Sequence, residues 1–221
     1  MPRKLFDREI NDLIHRMTDL GNDVDGRIQM TIDALRTLDI EKAKKVATSD
    51  NEIDSEEHRI EQICMNLIAL QQPIASDLRT IAACLKILTD MEREADQCAD
   101  ICDILTIAEL DRSSLALAHV VQMLEAAHEM FRGALDVFLS RDVEAARKVC
   151  QEDDNVDAMF SKIVLEVCGI ITENPQNVMC DVDLIFITKY VERMADHATN
   201  IAEWVIYMET GEHPDLNTKV F

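Results

Sequence analysis

Glycine (5), proline (4) and aromatic residues (4%) are scarce in this 221-residue chain. Strand-rich folds need turn residues every ~8–12 positions, and so few of them cannot supply that punctuation. Long helices need none, so the chain reads as all-α. No run approaches the ~18 consecutive apolar residues of a spanning helix. The start, Met1 to Glu9, is charged and lacks the apolar core of a signal peptide. A Gly-rich phosphate loop, a G-x-S-x-G elbow and any base-beside-nucleophile spacing are missing, so the expectation is that this is not an enzyme. Basic residues are also few: 22 Lys and Arg stand against 43 Asp and Glu, a formal charge of −21. Such a surface repels nucleic-acid phosphates, which excludes nucleic acid as a general partner. It repels anionic lipid as well, so any membrane association must run indirectly, through a membrane protein. The self-repulsion favours cations or basic partners, and divalent metal is one neutraliser. Seven cysteines, an odd number lying in apolar stripes, read as reduced thiols used as small hydrophobes in a cytosolic protein.

Long stretches of helical period are what the chain does have. Leu13, Met17, Leu20, Val24, Ile28, Ile32 and Leu35 mark a first helix over about 5–38. Asp39 caps a short helix, a longer one follows through Ile53 and Leu67, and after Pro73 a third runs through Leu85, Met91 and Cys102. Residues 109–114, with Asp111, Ser113 and Ser114, break the pattern as a linker. The set then repeats. Glu92-Arg93-Glu94-Ala95-Asp96 matches Glu192-Arg193-Met194-Ala195-Asp196 at an offset of 100, and Asp50-Asn51-Glu52-Ile53-Asp54 matches Asp153-Asp154-Asn155-Val156-Asp157 at 103. Similar offsets in the same order mean an internal duplication. The expected architecture is two tandem, similar three-helix bundles with pseudo-twofold symmetry, residues 1–108 and 115–221, the second ending in a short tail.

The duplication also carries a chemical pattern. Residues i and i+4 of a helix lie about 40° apart in projection and roughly 6 Å along the axis. Glu92/Asp96, Glu192/Asp196, Asp50/Asp54 and Asp153/Asp157 are therefore same-face carboxylate pairs. With 43 acids in the chain one such pair means little, since chance and solvated faces produce several. Four pairs at equivalent positions of two repeats weigh more. They border the apolar stripe, where carboxylates need basic groups or a metal as partner. Arg93 and Arg193 reach one acid each, which is too few, so a metal cluster in each bundle is expected. Hard oxygen ligands suit such cations.

Glu92-Arg93-x-x-Asp96, the run Glu192-Arg193-Met194-Ala195-Asp196-His197-Ala198-Thr199-Asn200-Ile201-Ala202-Glu203, and Gln71-Gln72-Pro73-Ile74-Ala75-Ser76-Asp77-Leu78-Arg79 closely resemble the PhoU family of phosphate-uptake regulators. The resemblance spans nearly the whole chain in order. It implies two PhoU-like three-helix bundles whose metal motifs fall on Glu92, Asp96, Glu192 and Asp196 and on Asp50, Asp54, Asp153 and Asp157, binding iron, zinc, manganese or magnesium. Asp100, where members commonly have Asn, adds a carboxylate to the first set. Asp100 and Asp103 correspond to Asn200 and Glu203. Glu94 and Gln97 depart from the small or apolar residue and the His or Tyr that the motif often carries. The resemblance further implies a cytoplasmic negative regulator of phosphate uptake and phosphate-starvation signalling. Its expected partners are the ATPase subunit of the phosphate ABC transporter, a sensor histidine kinase and a second copy in a homodimer. Asp77 and Arg79 are candidates for partner contact, against a plain helix-dipole role for Asp77.

The remaining motifs read as structural. Cys98 and Cys102 are packing thiols before they are zinc ligands. His197 is exposed or paired with an acid, as are His15 and His58. Glu125-x-x-His128 matches the element of ferritin-like di-iron proteins, but no second copy exists. That leaves a carboxylate-bridged metal oxidase or a metal-storage bundle as the alternative reading.

Overall fold

The computed structural model describes residues 3–48, 50–212 and 214, and the side chains of these except at 3–5, 50 and 51. All regular structure among the described residues is helical: α1 (Arg3–Thr37), α2 (Ile40–Thr48), α3 (Asp50–Gln71), α4 (Ala75–Ile107), α5 (Leu115–Ser140), α6 (Val143–Glu173) and α7 (Val178–Thr210), with a 3-10 turn at Pro175–Asn177. The tail beyond Pro214 lies outside the described residues.

The helices begin and end where local chemistry directs. Asp39 Oδ1 accepts from the Lys42 amide at 3.0 Å, Ser114 Oγ from Leu117 at 3.3 Å and Asp142 Oδ1 from Ala145 at 3.0 Å. Each satisfies an amide that the first helical turn leaves without a partner. Gly211, at φ 80°, closes α7 in the left-handed conformation that glycine adopts without strain. The duplication reaches the backbone, because Leu38 (φ 50°) and Arg141 (φ 59°), 103 residues apart, both end the first helix of their half in that same conformation. One difference separates the halves. The sequence suggests a short and a long middle helix in each, yet α6 is continuous over 31 residues. Val149-Cys150-Gln151-Glu152 sustains a helix, whereas Thr48-Ser49-Asp50-Asn51 offers side chains that compete for backbone groups and favour caps.

α1, α2–α3 and α4 pack as one bundle and α5, α6 and α7 as the other; α4 against α7 and α1 against α5 join them over a continuous apolar core. α4 and α7 run antiparallel: Arg79, in the first turns of α4, packs on Gly211, and Cys180, at the start of α7, donates to the Glu109 carbonyl just past α4. α1 approaches closely enough at Gly21 that an added Cβ would stand 2.7 Å from Leu135 Cδ2 of α5. Phe131 and Phe138 of α5 are among the largest fully buried side chains.

Asp142→Ala is expected to lower unfolding free energy by about 1 kcal/mol, the usual worth of an N-cap. Phe131→Ala is expected to cost about 3–5 kcal/mol. Urea denaturation followed by far-UV circular dichroism measures both.

Candidate functional site: the carboxylate stripes of α4 and α7

In the first bundle, Glu92 and Asp96 lie half-buried one turn apart on α4. Burial first and the Asp96 charge second push the Glu92 carboxyl above the ordinary glutamate range; Arg93 opposes this, and Glu57 and Asp54 add to it. Four carboxylates from α3 and α4 therefore share one field. Asp54, Glu92 and Asp96 were expected there. Glu57 was not, although its place three residues after Asp54 on the same helix face is a legible signal. Arg93 spans the α4 pair, with Nε 3.3 Å from Glu92 Oε2 and Nη1 3.1 Å from Asp96 Oδ2. It thus serves two acids, where one was expected. Asp50 begins α3, but its side chain lies outside the described residues. Asp100 is partly buried on α4, while Asn200, its counterpart, turns into the contact between α4 and α7.

The second bundle buries its acids more deeply. Asp153, Glu192 and Glu203 are 6%, 6% and 4% exposed, and Asp157 and Asp196 are partly buried. Asp153 of α6 and Glu203 of α7 both bear on Cys150, whose thiol is pushed up to about 12, by burial first and then by these two charges. Lys189 forms an ion pair with Glu192, and its ammonium stands 5.5 Å from the centre of the Phe160 ring. A lysine in this stripe was not anticipated.

Carboxylate oxygens are the ligand type that hard cations take, and Glu92 is lifted by its burial first and by the neighbouring Asp96 charge second. In donor chemistry and charge the stripes fit a metal. Among the described residues, though, no three His, Cys, Asp or Glu side chains converge closely enough to hold one ion.

Between the bundles lies a polar seam outside the expected site. Asp90 Oδ1 accepts from His197 Nδ1 at 2.9 Å and from Asn200 Nδ2 at 3.1 Å, so His197 is paired with an acid, as its sequence context suggested. Glu94, one turn on from Asp90, is fully buried and neither carboxylate oxygen has a hydrogen-bond partner. Desolvation, then the Asp90 charge, raises its carboxyl well above the ordinary range. Its counterpart in the repeat is Met194, also fully buried.

Other candidates resolve into packing. Cys98 and Cys102 are buried, with the Cys102 thiol pushed up to about 11 by burial. His128 pairs with Asp25 at 2.7 Å and Glu125 with Arg36, so the Glu-x-x-His match serves two separate contacts with α1. His58 is exposed beside Glu57. Asp77 sits in the first turn of α4, and Arg79 packs its guanidinium over Gly211 at the same end of the molecule.

A family model described as "PhoU domain" matches residues 17–105 and again 120–205, one match on each bundle. The chain belongs to the PhoU family. A PhoU homologue of Clostridium acetobutylicum, called a phosphate-specific transport system accessory protein, is 32% identical over 98% of this chain and 100% of its own length. One from Rhizobium meliloti is 31% identical, over 95% and 89%. The crystal structure of the phosphate transport system regulatory protein PhoU from Streptococcus pneumoniae superposes with a TM-score of 0.88 at 28% identity, covering 95% of this chain and 99% of that one. PhoU from Pseudomonas aeruginosa gives 0.88 and 28%, over 94% and 100%. PhoU membership and the paired-bundle fold thus rest on independent observations.

Two outcomes are expected from the buried groups. Burial raises the Glu94 carboxyl well above the ordinary glutamate range in the fold but not in the unfolded chain, so it takes stability away as pH rises through that range. Glu94→Met should therefore raise unfolding free energy by on the order of 1–3 kcal/mol at neutral pH, the cost of a buried polar group lacking a partner. The gain should shrink towards pH 4, leaving the pH-independent cost of the partnerless carboxyl; urea denaturation across pH tests this. Burial also holds Cys64, Cys84 and Cys150 up at about 12. Of the seven thiols, exposed Cys168 should react promptly with Ellman's reagent in the native state, and all seven in denaturant.

Proposed function

We propose that this chain is a cytosolic negative regulator of phosphate uptake and phosphate-starvation signalling. It acts as an adaptor between the ATPase subunit of a phosphate ABC transporter and a sensor histidine kinase, works as a homodimer, and performs no catalysis of its own. The observation that carries this reading is the pair of PhoU-domain matches on the two bundles, in a chain whose relatives are named accessory proteins of phosphate-specific transport. Charge and shape agree with it. A net charge of −21 suits docking to basic protein surfaces, and no helix among the described residues is long and apolar enough to cross a membrane. Asp77 and Arg79, at the end where α4 begins, belong to the proposed contact surface.

The reading includes metal. In the first bundle the residues that would hold it are Glu92, Asp96 and Asp54, with Asp50 and Asp100 beside them; in the second they are Glu192, Asp196, Asp153 and Asp157. Iron, zinc, manganese or magnesium would there neutralise acids of adjacent helices and stiffen the scaffold. An oxidase or storage role draws no support from Glu125 and His128, which are engaged with Arg36 and Asp25.

Pull-down from phosphate-replete cells is expected to recover the transporter's ATPase subunit or the kinase, and deletion of the gene to derepress uptake. Recovery of neither, with normal regulation in the deletion strain, sinks the adaptor reading. Elemental analysis of protein purified without chelator tests the metal: the native chain should carry it, and the Asp96→Ala, Asp196→Ala double variant should lose most of it while keeping its helical content.

A further inference from the structure

Where the chain passes from one bundle to the other, it leaves a cleft of about 720 Å³. The cleft lies at the end of the molecule where α4 stops and α5 and α7 begin, between the linker and the loop joining α6 to α7. Its rim is apolar and open to water, with Ile107 80%, Met179 73% and Leu115 65% exposed. Phe186, 54% exposed, follows Met179 by two helical turns and extends the apolar strip along the same face of α7. The charge of the cleft is all of one sign. Glu109, Asp111, Asp181 and Asp183 line it, and no lysine, arginine or histidine does. Asp111 has a local task, since its carboxylate accepts from the Ser113 amide and hydroxyl. Asp181 Oδ2, by contrast, is buried without a hydrogen-bond partner. Arg112, next to Asp111 in sequence, turns away to donate to the Thr37 carbonyl at the end of α1. Two other grooves supply their own bases. Arg16 and His15 stand with Glu9, Asp12 and Asp19 in one, and Arg132 with Asp25 and Asp136 in the other.

We propose that this cleft docks a segment of a partner protein in which arginine or lysine stands beside leucine-like side chains. Apolar residues this exposed, grouped round a concavity, mark an interaction surface, and covering them with an apolar anchor removes both from water. Charge selects the occupant. An acidic cleft with no base of its own attracts a cationic segment and repels an acidic one. A second copy of this chain, at −21, brings the wrong sign. Extent favours a polypeptide over a small molecule, because Phe186 carries the apolar strip beyond the residues that line the cleft. A helix laid there, with apolar anchors one turn apart and basic residues between them, meets both kinds of contact. The cleft also stands at the opposite end of α4 from Asp77 and Arg79. A chain that meets one partner at that end therefore keeps this end for another. Such a use deepens the adaptor reading and rests on it; the docking itself does not.

The test is fluorescence anisotropy of labelled amphipathic peptides with the full chain, at an ionic strength of about 0.15 M. One set carries leucine and arginine on one helical face, a second leucine and glutamate, and a third arginine and serine. The leucine–arginine set is expected to bind and the other two are not. Asp183→Asn with Glu109→Gln should weaken that binding by roughly tenfold or more, and so should Ile107→Ser with Met179→Ser. Glu129→Gln with Glu144→Gln removes the same charge from side chains 74% and 85% exposed on α5 and α6, and should leave it unchanged. Thermal melts confirm folding, and Asp181→Asn with Phe186→Ser repeats the measurement should either cleft variant melt early. No binding by the leucine–arginine set overturns the proposal. So does binding that the cleft variants leave intact, that the control pair weakens equally, or that the serine set matches, since charge alone then accounts for it. Light scattering that shows a wild-type dimer dissociated by Ile107→Ser with Met179→Ser overturns it in favour of a second copy. Each of these failures leaves the adaptor reading to the end that holds Asp77 and Arg79.

Discussion

The contact between α4 and α7 is the constraint from which the rest of the molecule follows. Each is a 33-residue helix that must bury an apolar stripe in its own bundle, present acids to a neighbouring helix, and pack against the other. Three demands on one helix leave almost no free face. Residues of opposite character therefore crowd together along α4, where Met91 is fully buried, Glu92 joins the acid stripe and Glu94 is sealed in the interior. The antiparallel run of the pair places Asp90 beside His197 and Asn200, so the seam between the bundles is tied by polar groups as well as by apolar area.

An acidic excess of this size cannot all be kept at the surface of a chain built from amphipathic helices, and the structure shows the ways it is absorbed. Arg93 spans an i,i+4 pair, and Lys189 holds a nearly buried glutamate. Full burial raises the Glu94 carboxyl well above its ordinary range, disfavouring its charged form.

Duplication turns the protein into its own comparison. Matched turns at Leu38 and Arg141 keep the same left-handed backbone over an offset of 103, so topology has been held. Matched side chains have drifted where charge is at stake: Glu94 against Met194, Glu57 against Phe160, Thr89 against Lys189. The drift changes the charge each bundle carries and leaves the way it folds alone, because the helical frame depends on apolar period and caps that both halves retain.

The helical class, the repeat and the family were all legible in the chain itself. They rest on local signals, namely period, a cap at Asp39, and motifs contiguous in sequence. The acid pairs on α4 were legible for the same reason, since i,i+4 neighbours share a face wherever a helix forms. The joining of the counterparts of α2 and α3 into a single α6 was not legible, because competition for backbone groups by a few side chains decides such a break. What only tertiary structure decided is which partner each charge meets. Glu57 reaches the field of Glu92 because α3 lies against α4, Asp90 finds His197 because α4 lies against α7, and Glu94 is entombed by the same packing. Those pairings span up to 107 residues of sequence, and no periodicity along one helix encodes the rotation at which another helix packs against it.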